Sequence, residues 1–267
     1  MQVLKMYRII PLKQAEISVP LSLVIMMGDA RTIVTGPVYV WVIDGRDEKI
    51  VVDAGIQEPR NGLVQGYPVK GGGEKGLRSA LEKANVRPEE VDKLVITHLH
   101  FDHVANASLF HNARIYVQKR EWDSALNPPM HYRRTYDINL ILPLEEMDLC
   151  LVEGDVEITD GVKLVLLPGH TKGMQGVAIE TEKGRYLIAG DQFYTYFNIF
   201  PPKQPLELID SAGNKVQIPA IDLPFLPTGL HVDLSEWYNS CFKALSYARR
   251  RNILPGHDPS LEGCTFP

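Results

Sequence analysis

Cysteine is scarce. Cys150, Cys241 and Cys264 are the only three in 267 residues. They form no C-x-x-C pair, and one is left over if two bridge. That argues against a disulfide scaffold and for reduced thiols in a cytoplasmic protein. No apolar run approaches about 18 residues, so no membrane span is expected. The first residues, Met1–Arg8, lack the apolar centre of a signal peptide and read instead as a first strand. Basic excess is missing too. The formal charge is −5 and the pI is near 5.9, which points away from nucleic acid as a partner. The single basic run, Arg249-Arg250-Arg251, reads as the cationic end of a helix. There is no internal repeat and no low-complexity tract.

What remains is ordinary soluble material, with 45% hydrophobic and 23% charged residues, enough to bury a core unaided. The length suits one large α/β domain or two small ones, and a single domain over residues 1–267 is the expectation. Val38–Ile43 and Ile50–Asp53 flank the polar run Asp44-Gly45-Arg46-Asp47-Glu48, as in a hairpin. Gln57 to Gly76 is glycine-rich but lacks the G-K-[ST] ending of a phosphate loop, so it reads as a mobile surface segment. Helical spacing runs from Glu74 to Val86 through Leu77, Ala80, Leu81 and Ala84. Pro88–Val91 reads as a short proline-opened turn, and Lys119–Leu126 as a helix. Strands are expected at Leu94–Thr97, Ile115–Val117, Val162–Leu167, Gly176–Glu180 and Tyr186–Ala189. Asn198 to Thr228 is proline-rich and shows no period. Leu234–Arg250 reads as the last long helix, followed by the short strand Ile253-Leu254. Strands dominate and helices come singly, which suggests two packed sheets with helices outside.

Histidine is also scarce, eight in all, yet three fall within the run His98-Leu99-His100-Phe101-Asp102-His103. Imidazole and carboxylate suit zinc, manganese and iron. At the end of a strand, His98, His100 and Asp102 share a period of two and project to one side. His103 breaks that period and requires a turn. One metal could then take His98 and His100, and a second Asp102 and His103. Three further positions end apolar strands in the same manner: His170 after Leu167-Pro168-Gly169, Asp191 after Ala189-Gly190, and His257 after Leu254-Pro255-Gly256. Side chains of ligand type at strand ends are how loops at a sheet edge present a site.

This order of residues resembles the metallo-β-lactamase superfamily, from about Val38 to His257. The resemblance implies an α/β fold, a four-layer αβ/βα sandwich of two mixed sheets with helices outside, and a dinuclear metal site at one edge. His98, His100 and His170 would bind one divalent ion. Asp102, His103 and His257 would bind the other, and Asp191 would bridge them. Asp53 matches the family's early aspartate, which supports a ligand histidine and fixes its tautomer. His111, His131 and His231 are left as ordinary residues. Zinc is the first expectation for the metal, with iron, cobalt and manganese open.

Position 100 separates chemistries within the superfamily. Members that reduce oxygen or nitric oxide at di-iron usually carry glutamate there and a fused flavin domain. Here it is histidine, which favours hydrolysis. The cluster, together with Asp191-Gln192-Phe193-Tyr194, is similar to the N-acyl-homoserine lactonase branch, whose members open the lactone ring of quorum-sensing signals (quorum quenching). The resemblance implies attack by a metal-bridging hydroxide, with Tyr194 stabilising the oxyanion and Asp102 relaying a proton to the leaving alkoxide. Phe101 and Tyr194 would contact the substrate. Ester or thioester hydrolysis of the glyoxalase-II type is the alternative. A phosphodiesterase, a di-iron redox protein or a metal protein without catalysis is less favoured. The chain departs from the family where a second histidine often follows; it reads Gly169-His170-Thr171-Lys172-Gly173-Met174. The segment near 197–230, with Phe200, Pro201, Pro202, Phe225 and Leu226, is long and is expected to roof the pocket and set acyl specificity. A homodimer is the default oligomer.

Overall fold

The structure is a computed structural model that describes residues 6–45 and 48–267. Its strands, in chain order, are β1 (Arg8–Pro20), β2 (Ile33–Asp44), β3 (Ile50–Val52), β4 (Leu63–Val64), β5 (Tyr67–Gly71), β6 (Lys93–Val95), β7 (Arg114–Gln118) and β8 (Leu149–Val152). They continue with β9 (Val156–Thr159), β10 (Val162–Leu166), β11 (Gln175–Thr181), β12 (Gly184–Ile188), β13 (Leu206–Ile209), β14 (Lys215–Ile218) and β15 (Ile253–Leu254). The helices are α1 (Leu21–Val24), α2 (Gly73–Glu82), α3 (Phe101–Val104), α4 (Lys119–Leu126), α5 (Ile138–Ile141), α6 (Tyr196–Ile199) and α7 (Leu234–Tyr247), with short 3-10 turns between. One mixed sheet runs β4-β5-β1-β2-β3-β6-β7-β8 and a second runs β15-β12-β11-β10-β9; β13 and β14 form a separate hairpin.

Alternation along the strands builds the layers. On β2, Tyr39, Trp41 and Ile43 face the second sheet, where they meet Val162, Leu164, Val177 and Ile188. Val40 and Val42 face the other way, onto Leu77, Ala80 and Leu81 of α2 and Trp122 of α4. Behind the second sheet, Val165, Ala178, Leu187 and Ile253 pack on Trp237, Cys241 and Ala244 of α7. Those α7 residues follow helical spacing, and Asp233 caps the helix by accepting from the Glu236 amide at 2.9 Å. Helix, sheet, sheet, helix is the expected four-layer sandwich. Among the described residues no helix is long and apolar enough to cross a membrane, and the three cysteines are unpaired.

Strand direction places the site. β3 and β6 pair in parallel, so Asp53 and the run from His98 leave the same edge of the first sheet. β12 and β15 also pair in parallel. β10 is antiparallel to β11, and β11 to β12, so β10 runs with β12. The loops bearing His170, Asp191 and His257 therefore leave one edge of the second sheet.

Several expectations need correction. The first strand is Arg8–Pro20; Met1 to Lys5 lie outside the described residues. Pro11 and the polar Lys13, Gln14 and Glu16 hid it. A bulge between Lys13 and Ala15 turns Gln14 inward, where its amide bonds the Ile56 backbone N–H and carbonyl and the Gly73 carbonyl. The glycine-rich stretch, expected as a mobile surface segment, contains regular strands. It holds the β4–β5 hairpin, and β5 joins the edge of β1 through Ile17↔Val69. Gly71, Gly72 and Gly73 take positive φ of 86°, 92° and 67°, which lets the chain turn from β5 into α2. β2 and β3 do pair antiparallel, as a hairpin should; Arg46 and Asp47 at its tip lie outside the described residues.

The segment read as aperiodic contains the end of α6 and the β13–β14 hairpin, whose loop is tied by the Asp210 carboxylate accepting from the Ala212 and Asn214 amides. β8 and β9 were not expected. α7 stops at Tyr247, so the triple arginine does not form its cationic end. Arg250 instead sits 4.3 Å over the Phe225 ring and donates to the Ile199 and Pro224 carbonyls, clasping that segment to the second sheet.

Candidate metal centre

The structure brings all seven of the expected ligand residues together in two adjacent groups. His98, His100 and His170 form one; Asp102, His103, Asp191 and His257 form the other. Within each group the ligand-type atoms lie within 4.8 Å of one another. His170 Nε2 is 3.2 Å from His98 Nε2 and 3.1 Å from His100 Nδ1. Asp191 stands between the groups. Its Oδ2 is 3.5 Å from His170 Nε2 and 3.7 Å from His98 Nε2, and its Oδ1 is 3.2 Å from His103 Nε2 and 3.0 Å from His257 Nε2. Asp102 Oδ2 lies 3.9 Å from both His103 and His257 Nε2.

The outer nitrogens explain which lone pairs face inward. His103 Nδ1 donates to Asp53 Oδ2 at 2.8 Å, His170 Nδ1 to the Leu230 carbonyl at 2.9 Å, and His257 Nδ1 to the Pro37 carbonyl at 2.8 Å. The Thr97 hydroxyl gives its hydrogen to Asp53, so it accepts from His98 Nδ1 at 3.1 Å. In its neutral form each of these four rings presents a bare Nε2 lone pair to the centre. Lone pairs at such separations repel unless a cation lies between them. His103 Nε2 and Asp191 Oδ1, both buried, have no hydrogen-bond partner. Buried polar atoms are seldom left that way, and the donor set is the imidazole and carboxylate chemistry of a divalent ion.

Charge follows the same division. Burial, with the neighbouring imidazoles, holds His98 and His100 well below the usual histidine range; His170 is also lowered, by burial first. Burial opposes charge on His103 and His257 as well, but Asp191 and Asp102, and Asp53 for His103, outweigh it and raise them. Burial would raise Asp191, yet His103 and His257 hold it well below the carboxylate range. The first group is thus a neutral nitrogen triad, and the second carries carboxylates that favour positive charge.

Asp53 lies behind the centre, buried under His103 and Thr97. It takes φ +63° and accepts from the Thr97 amide at 2.7 Å as well as from His103. Tyr194 stands beside the centre, its ring edge-on to those of His170 and His257 at 5.6 Å and 5.5 Å. Burial, and the charges of Asp191 and Asp102, keep its phenol protonated. A cavity of about 400 Å³ opens from the centre. Its floor includes His100, Asp102, Asp191, Tyr194 and His257; its walls are Phe101, α1 with Leu21 and Val24, Val34 of β2, and Leu208, Ile218 and Leu226. Of the residues named for the roof, Pro202 and Leu226 line this space; Phe225 packs on α7 instead, and Phe200 is exposed. His111 is exposed and His231 bonds the Thr228 carbonyl; neither joins the groups, and the side chain of His131 is outside the described residues.

The sequence did not reveal Thr97, the Leu230 and Pro37 carbonyls, or the α1 wall. Backbone acceptors leave no residue-type signal, and β1 with α1 was unread. Met174, where the family often has histidine, is buried beneath Gly190.

The family model described as the metallo-beta-lactamase superfamily matches residues 33–257. The chain belongs to that superfamily. An N-acyl homoserine lactonase of Bacillus cereus is 32% identical over 185 residues, covering 66% of this chain and 71% of that protein. One of Bacillus thuringiensis is 33% identical, covering 61% and 66%, so the chain spans about two thirds of these curated relatives' length. A solved N-acyl homoserine lactone hydrolase, with the product N-hexanoyl-L-homoserine at its catalytic metal centre, superposes with a TM-score of 0.72 at 25% identity, covering 97% of this chain and 95% of that one. A protein of Staphylococcus aureus described as a probable metal-dependent hydrolase shares the fold at 19% identity, with a TM-score of 0.77, covering 95% of this chain and 90% of that one.

One glycine of this superfamily site sets its tolerance. A Cβ on Gly256 would stand 2.7 Å from Asp191 Oδ1 and 3.0 Å from the Gly190 carbonyl. Gly256→Ala should therefore displace the shared carboxylate. We expect a loss of about 1–3 kcal/mol in stability from overpacking. Metal should be held about 10–100-fold more weakly. Thermal melts and competition with a chelator check both.

Proposed function

We infer that this protein is a metal-dependent hydrolase that opens lactone rings, with N-acyl-homoserine lactones the first choice. One observation carries the reading: two ligand groups sharing a carboxylate, with Tyr194 beside them, border a cavity whose other lining is largely apolar. That suits an amphiphilic lactone, with polar chemistry for the ring and apolar wall for the tail. The names of the relatives support the same substrate class.

His98, His100 and His170 would hold one divalent ion, and Asp102, His103 and His257 the other, with Asp191 shared. Zinc is the first candidate, and iron, cobalt or manganese suit the same donors. Such ions lower the pKa of bound water and polarise a carbonyl oxygen. The side chains supply the rest. The Tyr194 phenol donates to the carbonyl oxygen as negative charge develops there. Water adds to the carbonyl carbon, the bond to the ring oxygen breaks, and that oxygen takes a proton, giving a hydroxy acid. Asp102 borders the cavity and is the group placed to pass on that proton. Phe101 forms part of the wall against which the ring or acyl chain rests. We place the action in the cytoplasm on a small-molecule substrate, consistent with three unpaired cysteines, and regard the chain as one domain that can pair as a homodimer.

The cavity gives the test a second dimension. The segment near 197–230 contributes Leu208, Ile218 and Leu226 to the walls and would set acyl preference. In pH-stat assays, kcat/KM should rise with acyl length by up to about fourfold per methylene while the chain still finds apolar wall, following about 0.8 kcal/mol per buried CH2. Ile218→Trp should cut turnover of long-chain lactones more than about tenfold and spare short ones. A flat length profile in both proteins would remove the assigned role of the roof; rapid thioester cleavage without lactone opening would overturn the function.

A further inference from the structure

Behind the neutral nitrogen triad lies a second carboxylate, Glu121, in the first turn of α4, with no exposed surface. An uncompensated buried carboxylate is costly, so its partners matter. Among the described residues none of them is a cation. Oε1 accepts from the Leu99 amide at 3.0 Å and the Tyr136 hydroxyl at 3.1 Å; Oε2 accepts from the Thr171 hydroxyl at 2.5 Å and the Gly173 amide at 3.1 Å. Leu99 stands between His98 and His100, and Thr171 follows His170. The ring of Tyr136 also packs edge-on to His100, with centroids 4.9 Å apart. A Cβ on Gly173 would fall 2.1 Å from the Glu121 amide nitrogen, so the His170 loop is pressed directly onto the start of α4.

We propose that Glu121 is a positioning residue which fixes the separation of the His98–His100 loop and the His170 loop, and so governs metal affinity at that triad alone. This rests on reading the triad as a metal site. One oxygen serves each loop, and no bond of Glu121 reaches Asp102, His103 or His257. The geometry also dictates the outcome of the smallest possible change. Each carboxylate oxygen faces one fixed backbone N–H, so a glutamine in either orientation sets its NH2 against a backbone donor. One of the two loops must then let go.

The test uses the as-purified, metal-loaded protein and a chromophoric chelator, following zinc release. Elemental analysis of the wild type should give two equivalents; none would sink the metal-centre reading itself and this inference with it. In Glu121→Gln, one equivalent should be held about 10–100-fold more weakly and the other within about threefold of wild type. Tyr136→Phe and Thr171→Val, which each remove one donor and leave the backbone bonds, should loosen the same equivalent to a smaller degree. They also carry the test if the glutamine variant does not fold. Unchanged affinity for both equivalents, or equal loosening of both alongside a lowered Tm, would overturn the assignment.

Discussion

Asp191→Asn is expected to lower lactone opening by at least about 10³-fold and to weaken metal binding at both ligand groups, most at the one its NH2 faces. The magnitude follows from where the carboxylate stands. Removing one fixed donor from a reacting centre typically costs about 10²–10³-fold. This substitution removes a charge shared by two groups. Oδ2 faces His98 and His170, and Oδ1 faces His103 and His257, at 3.0 to 3.7 Å. An amide offers one oxygen and one NH2, so whichever way it turns, one group loses an acceptor and receives a donor aimed at imidazole lone pairs. The negative charge that raises His103 and His257 is lost at the same time. Metal analysis and pH-stat rates check the result. Two retained equivalents, with activity within tenfold of wild type, would show that Asp191 is not shared.

Tyr194→Phe should separate chemistry from assembly. The phenol lies between the rings of His170 and His257 without belonging to either group. Its removal should lower kcat about 10²-fold, the range for one oxyanion donor. It should leave KM within a few-fold and metal content unchanged. Loss of metal in a folded Phe variant would move Tyr194 from the reaction to the support of the centre. A kcat within threefold of wild type would remove it from both.

Much of this arrangement was legible in the chain because the same local grammar is used four times. An apolar strand, a small residue or a turn, and then a ligand-type side chain mark His98, His170, Asp191 and His257. Side-chain type carries that signal, so it survives in a single sequence. The supports of the imidazoles are another matter. Leu230 and Pro37 act through carbonyls, which every residue has. Glu121 in a first helical turn reads as an ordinary complement to the helix dipole. Its burial comes from a loop 50 residues away. β1 escaped notice because Pro11 and the bulged Gln14 break its alternation, and the walls it and α1 supply went with it. The β13–β14 hairpin was hidden by strands of only four residues among prolines. The glycine-rich stretch misled for a related reason: glycines chosen for backbone angle dilute the apolar signal of Val64 and Val69.

The hydrogen bond from His170 to the Leu230 carbonyl has a bearing on how such a protein could be remade. The stretch that shapes the cavity and the stretch that orients a ligand imidazole are one continuous piece of backbone. Thr228 reinforces the join, its hydroxyl donating to the same carbonyl at 2.9 Å, and the Val232 amide then bonds the Gly169 carbonyl. A grafted loop that replaced residues 200–226 would exchange the wall and keep the anchor. A graft extending five residues further would cut the tether of His170, and its failure would look like poor chemistry when the fault was a misplaced splice.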